Sequence, residues 1–309
     1  MEYFPNYPPA SGIAPGDWAR AMEARGWDGI CASDHLWVGD TRYPHVFVAA
    51  TAMACATSRI RLTTSFANNL FRSPVEFAQA SLSLAAVSGG RFEAGLGAGW
   101  AADEIEAMGG HYPPPGERIS RYVEALQVVR PLLATGQCRF DGDYYRVDIS
   151  GENRLADVAA CPPPLIASAG GPRALREVTP LVDRVELKAS ARATRVGHLD
   201  FGLLATVTEE EVRGQVARVR DVSADVPMSI FLLVGCGTDS GSRGSVDALK
   251  QGLGDRYLGR FLGDPGAVAE ALEGLESLGI SRVQLTELVP GTLDLLAGEL
   301  KGDAAASAG

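Results

Sequence analysis

Eight short runs rich in β-branched or apolar residues recur along the chain, each followed by a longer amphipathic segment. The runs are Met1–Phe4, Gly29–Ser33, Arg61–Phe66, Phe92–Leu96, Leu165–Ser168, Arg184–Leu187, Met228–Val234 and Arg282–Thr286. Proline or an acidic residue in a first turn marks helix starts at Pro15-Gly16-Asp17, Tyr43-Pro44, Ser73-Pro74 and Pro115-Gly116-Glu117. Further starts lie at Gly171-Pro172, Thr208-Glu209 and Asp264-Pro265. Strands that alternate with helices pair in parallel through right-handed crossovers. Eight such units in 309 residues match the dimensions of a (β/α)₈ TIM barrel, an α/β fold. A doubly wound open sheet is the alternative, but no GxGxxG follows the first run. The expectation is a single barrel domain over 1–309. Residues 136–164 form an insertion hairpin over the barrel mouth, turning at Phe140-Asp141-Gly142-Asp143-Tyr144. Residues 235–263 read as a mobile loop with a short helix, and 302–309 as a disordered tail.

Charge narrows the partners. Lys plus Arg number 28 against 38 Asp plus Glu, a net charge of -10, whereas nucleic-acid binding calls for a basic stripe. No uncharged apolar run approaches the roughly 20 residues that cross a bilayer. No basic segment followed by an apolar one opens the chain, so a cytoplasmic location without a membrane or nucleic-acid partner is expected. Five cysteines without CxxC spacing read as reduced, buried small hydrophobes. His45, His111 and His198 read as structural, and no spacing suggests a metal.

In a barrel of this kind functional groups collect at the C-terminal strand ends. Four clusters fall there. In Ala32-Ser33-Asp34-His35-Leu36-Trp37, an Asp beside a His can fix its tautomer and suit it to general acid or base work, and Trp37 offers a flat wall. A loop histidine bonded for structure is equally open. Thr63 to Arg72 carries Ser65, Phe66, Asn68 and Asn69, whose polar groups await either a ligand or a satisfied turn. In Leu96-Gly97-Ala98-Gly99-Trp100 the glycines allow either close approach to a ligand or tight strand-to-helix packing. Ser168-Ala169-Gly170-Gly171-Pro172-Arg173 offers backbone amides to a phosphate. Arg72 and Arg173 are candidate bidentate partners for an anion.

These clusters, in this order, resemble the bacterial luciferase-like superfamily, and within it the branch that uses the deazaflavin coenzyme F420. The resemblance runs from about Asp17 to Glu299. It is most specific from Arg59-Ile60-Arg61-Leu62 to Ser88-Gly89-Gly90-Arg91-Phe92 and on to Trp100. It implies a homodimeric barrel with the deazaflavin at the C-terminal mouth and Asp34 and His35 as the catalytic pair. It further implies a bulge with a non-prolyl cis peptide at Ser65-Phe66 pressing on the ring. Asn68, Gly97, Gly99, Ala169, Gly170 and Gly171 would contact the coenzyme, and Trp37, Asn69 and Trp100 the substrate. Sugar-phosphate dehydrogenases of this branch carry a Glu where Trp100 stands, which points to a more apolar small-molecule substrate. The implied activity is hydride transfer between F420 and that substrate, with a separate enzyme supplying reduced coenzyme. Two alternatives share the fold: a reduced-FMN-dependent monooxygenase served by a separate reductase, and a non-catalytic flavin-binding paralogue.

Overall fold

The computed structural model describes residues 1–155, 162–253 and 256–302, so Cys161 and the tail from 303 lie outside the described residues. All eight apolar runs are strands: β1 (Glu2–Pro5), β2 (Gly29–Ala32), β3 (Arg61–Thr64), β4 (Phe92–Gly97), β5 (Leu165–Ala169), β6 (Arg184–Lys188), β7 (Met228–Cys236) and β8 (Arg282–Glu287). They pair in parallel in the order β1-β8-β7-β6-β5-β4-β3-β2. Between β1 and β2 the ring closes through a parallel bridge, Asn6 to Cys31, with Tyr7 N donating to Cys31 O at 2.9 Å. The TIM-barrel expectation holds.

Helices α1 (Pro15–Ala24), α2 (Val46–Ala56) and α3 (Pro74–Val87) follow the first three strands. After β4 come α4 (Ala102–Ala107) and α5 (Pro115–Thr135), and after β5 comes α6 (Pro172–Val178). The later ones are α7 (Phe201–Ala205), α8 (Glu209–Val222), α9 (Ser240–Leu253), α10 (Pro265–Glu273) and α11 (Thr292–Lys301). The proline and capping signals located their starts well. Ser73 accepts from Glu76 N at the head of α3, and Thr208 with Glu211 forms a full capping box on α8.

Residues 235–263, expected as a loop with a short helix, do hold a helix, and a longer one: α9 fills 14 residues of them, and Leu262–Gly263 pairs with Gly235 and Cys236 of β7. Glycine and serine are poor helix formers, but Asp239 accepts from Gly241 N and Ser242 N and so starts the helix, which buries Val246 and Leu253. The expected hairpin is Cys138–Asp141 against Arg146–Ile149; residues 156–161 of the same insertion lie outside the described residues. Glu124, midway along α5, accepts from the amides of Asp143, Tyr144 and Tyr145 at 2.9–3.1 Å and ties the turn to the barrel's flank. Tyr145 reaches the rim, where its hydroxyl accepts from Asn69 Nδ2 at 3.2 Å. Of the cysteines, Cys31, Cys138 and Cys236 are buried and unpaired as expected, whereas Cys55 is exposed.

Branched apolar side chains fill most barrel bores; here the N-terminal half carries charge. Arg282, 1% exposed, donates to both oxygens of Glu93 and to Glu2 Oε2 at 2.9 Å, with the Phe4 ring 3.9 Å from its guanidinium carbon. Burial works to raise the Glu2 carboxyl, yet Arg282 and Arg61 prevail and hold it below the usual carboxylate range.

Candidate functional site

At the C-terminal rim, β3 ends at Thr64 and the Ser65–Phe66 peptide is cis, as the resemblance implied. The chain bulges and pairs again at Ala67–Asn68 with Leu96–Gly97 of β4. The β4 glycines make room for this bulge. A Cβ on Gly95 would run into the Thr64 carbonyl, one on Gly97 would lie 3.0 Å from Phe66 Cβ, and one on Gly99 would strike Asn68 Oδ1. Both glycines thus pack closely against the bulge, and Gly99 also lines the rim cavity.

Asp34 is committed to the same bulge. It accepts from Asn68 N at 2.7 Å and takes a two-point ion pair from Arg72, with Nη2 at 3.1 Å. Both side chains are nearly inaccessible. Asp34 therefore does not orient His35, and Arg72 is not held ready for an anion; each neutralises the other. Two buried oxygens of the bulge, Ser65 Oγ and Asn69 Oδ1, have no hydrogen-bond partner among the described residues. Such atoms are costly to bury unless a ligand or water completes them.

His35 finds its carboxylate elsewhere. Its Nδ1 lies 2.6 Å from Oε1 of Glu104, a residue 1% exposed on α4, and the other Glu104 oxygen accepts from Leu36 N. The rings of Tyr43 and Trp100 stand edge-on to the imidazole, with centroids 5.4 and 5.3 Å away. Trp37 is held through its indole N–H by Asp103 at 3.0 Å and is not part of the main rim cavity. Glu104 and Tyr43 were missed in the sequence. Asp103-Glu104 looks there like an ordinary acidic first turn, and no periodicity brings it to residue 35.

Beside His35, with Trp100 as the shared wall, lies a cavity of about 980 Å³. Gly99, Trp100, Ala169, Gly170, Gly171 and Arg173 all line it, so the strand-four and strand-five clusters meet at one opening. The cavity is rich in cations although the chain is acidic. Arg173, Arg192 and Arg213 pair with Glu177, Glu211 and Glu209. Lys188, Arg195 and Arg218 form no ion pair among the described residues. Lys188 ends β6 on the bore side, and burial together with the Arg118 guanidinium lowers its ammonium to about 8. Arg118 is itself spent on the Pro113 and Arg195 carbonyls. A lone lysine on a strand of a chain so rich in arginine was a signal that could have been read. Among the described residues no cluster of His, Cys, Asp and Glu could hold a metal ion.

A family model described as luciferase-like monooxygenase matches residues 14–199, more than half of the chain. The chain belongs to the luciferase-like monooxygenase family. This luciferase-like chain is 31% identical over 160 residues to an F420-dependent glucose-6-phosphate dehydrogenase of Amycolatopsis mediterranei, covering 50% of this chain and 47% of that one. It is 35% identical over 163 residues to an F420-dependent hydroxymycolic acid dehydrogenase of Mycobacterium tuberculosis, covering 50% and 43%. The chain thus spans less than half the length of these relatives. In architecture it matches an F420-dependent secondary alcohol dehydrogenase solved with an F420–acetone adduct: TM-score 0.75, 18% identity, 98% and 99% of the two chains. It also matches the monooxygenase RslO1 of Streptomyces bottropensis: TM-score 0.74, 16% identity, 98% of each chain.

Proposed function

We propose that this luciferase-like chain is an F420-dependent oxidoreductase acting on a small organic substrate at the C-terminal rim. The observation that carries the reading is the cavity wall, with Lys188, Arg195 and Arg218 lacking counter-charges beside the Gly170–Gly171 backbone. F420 is a planar deazaflavin with a phosphate and carboxylates on its tail, and this donor set fits it. The ring would lie against the bulge, where Ser65 Oγ and Asn69 Oδ1 have no hydrogen-bond partner among the described residues. When bound, the deazaflavin supplies a carbon centre that gives or takes hydride. His35 supplies or removes the accompanying proton. Trp100, Tyr43 and the bulge shape an apolar, water-poor space for the substrate. Relatives named as F420-dependent dehydrogenases support the coenzyme assignment.

Titrating the protein with F420 and with FMN tests this. F420 should bind more tightly, and Lys188→Met should weaken it about 10- to 100-fold, the loss of one charge-assisted contact. A bound anion favours the charged lysine, so wild-type affinity should fall as pH rises through about 8, and Lys188→Met should flatten that dependence. His35→Ala should leave F420 affinity within about twofold and lower turnover by about 10²–10⁴. Tighter binding of reduced FMN with substrate-dependent oxygen uptake would instead assign a monooxygenase. Tight F420 binding without turnover on a broad panel of alcohols, ketones, enones and imines would assign a non-catalytic binder. We extend the proposal to a homodimer through α2 and α3, which leave Val48 and Val87 exposed (67% and 53%); sedimentation at varied concentration checks it.

A further inference from the structure

Which nitrogen of His35 carries the proton is decided by what its ring can bond to. The carboxylate next to it in sequence, Asp34, has its oxygens occupied by Arg72 and by Asn68 N. The carboxylate at hydrogen-bond distance is Glu104, 69 residues further on. An ionised carboxylate only accepts, so the proton between them belongs to Nδ1. Glu104 cannot turn away, because its second oxygen is held by Leu36 N and the side chain is buried. Its neighbour on α4, Asp103, holds the indole N–H of Trp37. Two successive residues of one short helix thus grip residues 35, 36 and 37. The rings of Tyr43 and Trp100 pack edge-on against the imidazole and oppose a ring flip. Among the described residues Nε2 has no hydrogen-bond partner.

We propose that Glu104 is the positioning residue of this site: it locks His35 in the Nδ1-protonated tautomer and so presents a bare Nε2 as the proton acceptor or, once charged, the donor. The inference refines the role of His35 in the proposed oxidoreductase, but the tautomer can be measured with no coenzyme present. A failure of one therefore does not imply a failure of the other.

Glu104→Gln separates charge from shape. Its carbonyl can keep the Leu36 N–H, which turns the amide N–H₂ toward Nδ1 and forces the proton onto Nε2, the effect produced by a carboxylate-to-amide change beside a catalytic histidine. Nitrogen-15 NMR of imidazole-labelled, intact protein above about pH 8, where an ordinary imidazole is neutral, reads this directly. The chain has four histidines, and the His35 signals are those lost in His35→Asn. Wild type should show a protonated Nδ1 and a bare Nε2. Glu104→Gln should reverse the two, keep F420 affinity within about twofold and lower turnover about 10- to 100-fold. Asp103→Asn should leave the tautomer as in wild type. A wild-type His35 protonated on Nε2, or a Glu104→Gln spectrum unchanged from wild type, overturns the proposal. If Glu104→Gln fails to fold, the wild-type spectrum alone still decides.

Discussion

Position along a strand decides what a charged side chain does in this barrel. Arg184, Glu186 and Lys188 alternate along β6 toward the bore, yet the first lies 3.9 Å from Glu2 of β1, the second is buried in the bore and the third reaches the rim cavity. Glu186 is fully buried, with one oxygen bonded to the Ser229 hydroxyl and the other without a partner. Burial raises its carboxyl to about 8, while Ser229, Arg282 and Arg184 pull the other way. It is therefore protonated in the native state at neutral pH, whereas the unfolded chain ionises near the ordinary carboxylate value. Between those two points the native state holds the extra proton, so its contribution to stability is complete below about 4.5 and is lost as pH rises through about 8. Glu186→Gln should remove that slope. Thermal melts from pH 5 to 9 should show wild type losing about 1–4 kcal/mol relative to the variant; parallel curves would contradict it. At this scale the sequence shows only a glutamate in a strand-forming run, because burial depends on the strands facing it.

Elements act here through fit as much as through propensity. Strand β4 reads as a barrel strand from its Phe-Glu-Ala-Gly-Leu-Gly run, but its glycines answer to the neighbouring strand. The bulge after β3 brings the Thr64 carbonyl over Gly95, so one methyl group there collides with backbone that has nowhere to move. Gly95→Ala should cost about 2–4 kcal/mol, read as a lower unfolding midpoint in urea with an unchanged m-value. Gly171→Ala, which meets nothing within 4 Å, is the matched control and should stay within about 0.5 kcal/mol of the Gly-to-Ala difference expected at a helix cap. Element starts were legible because capping is local: Ser73, Thr208 and Asp264 accept from amides two or three residues ahead. Helix α9 was read too weakly because its opening glycines and serines hide a cap that Asp239 supplies.

At the scale of the molecule, closure joins the two ends of the chain. Arg282 on β8 binds Glu2 on β1, 280 residues away, and Glu93 across the bore. Replacing it by methionine fills much of the space but removes the main partner of buried Glu93, which keeps only Arg61 at 3.4 Å, while Glu2 keeps Arg61 at 2.6 Å. Arg282→Met should therefore cost about 3–5 kcal/mol, a fall in Tm of about 5–8 °C for a chain of this length. The double variant Arg282→Met with Glu93→Leu should recover part of that loss, and a single variant as stable as wild type would contradict the account. What local chemistry decided was the count, order and kind of elements, and the parallel barrel they must form, because strand patterning, proline at helix starts and capping act over a few residues. The same reasoning put the strand-end clusters on one rim, since parallel strands all end on the same side. Only the tertiary structure decided the pairings within that rim. Asp34 went to Arg72, His35 to Glu104, the β4 glycines to the bulge, and Lys188 to an open cavity without a counter-charge. Those choices are made between residues tens of positions apart, by distance, burial and competition for hydrogen bonds, and these arise only when the strands close into a ring.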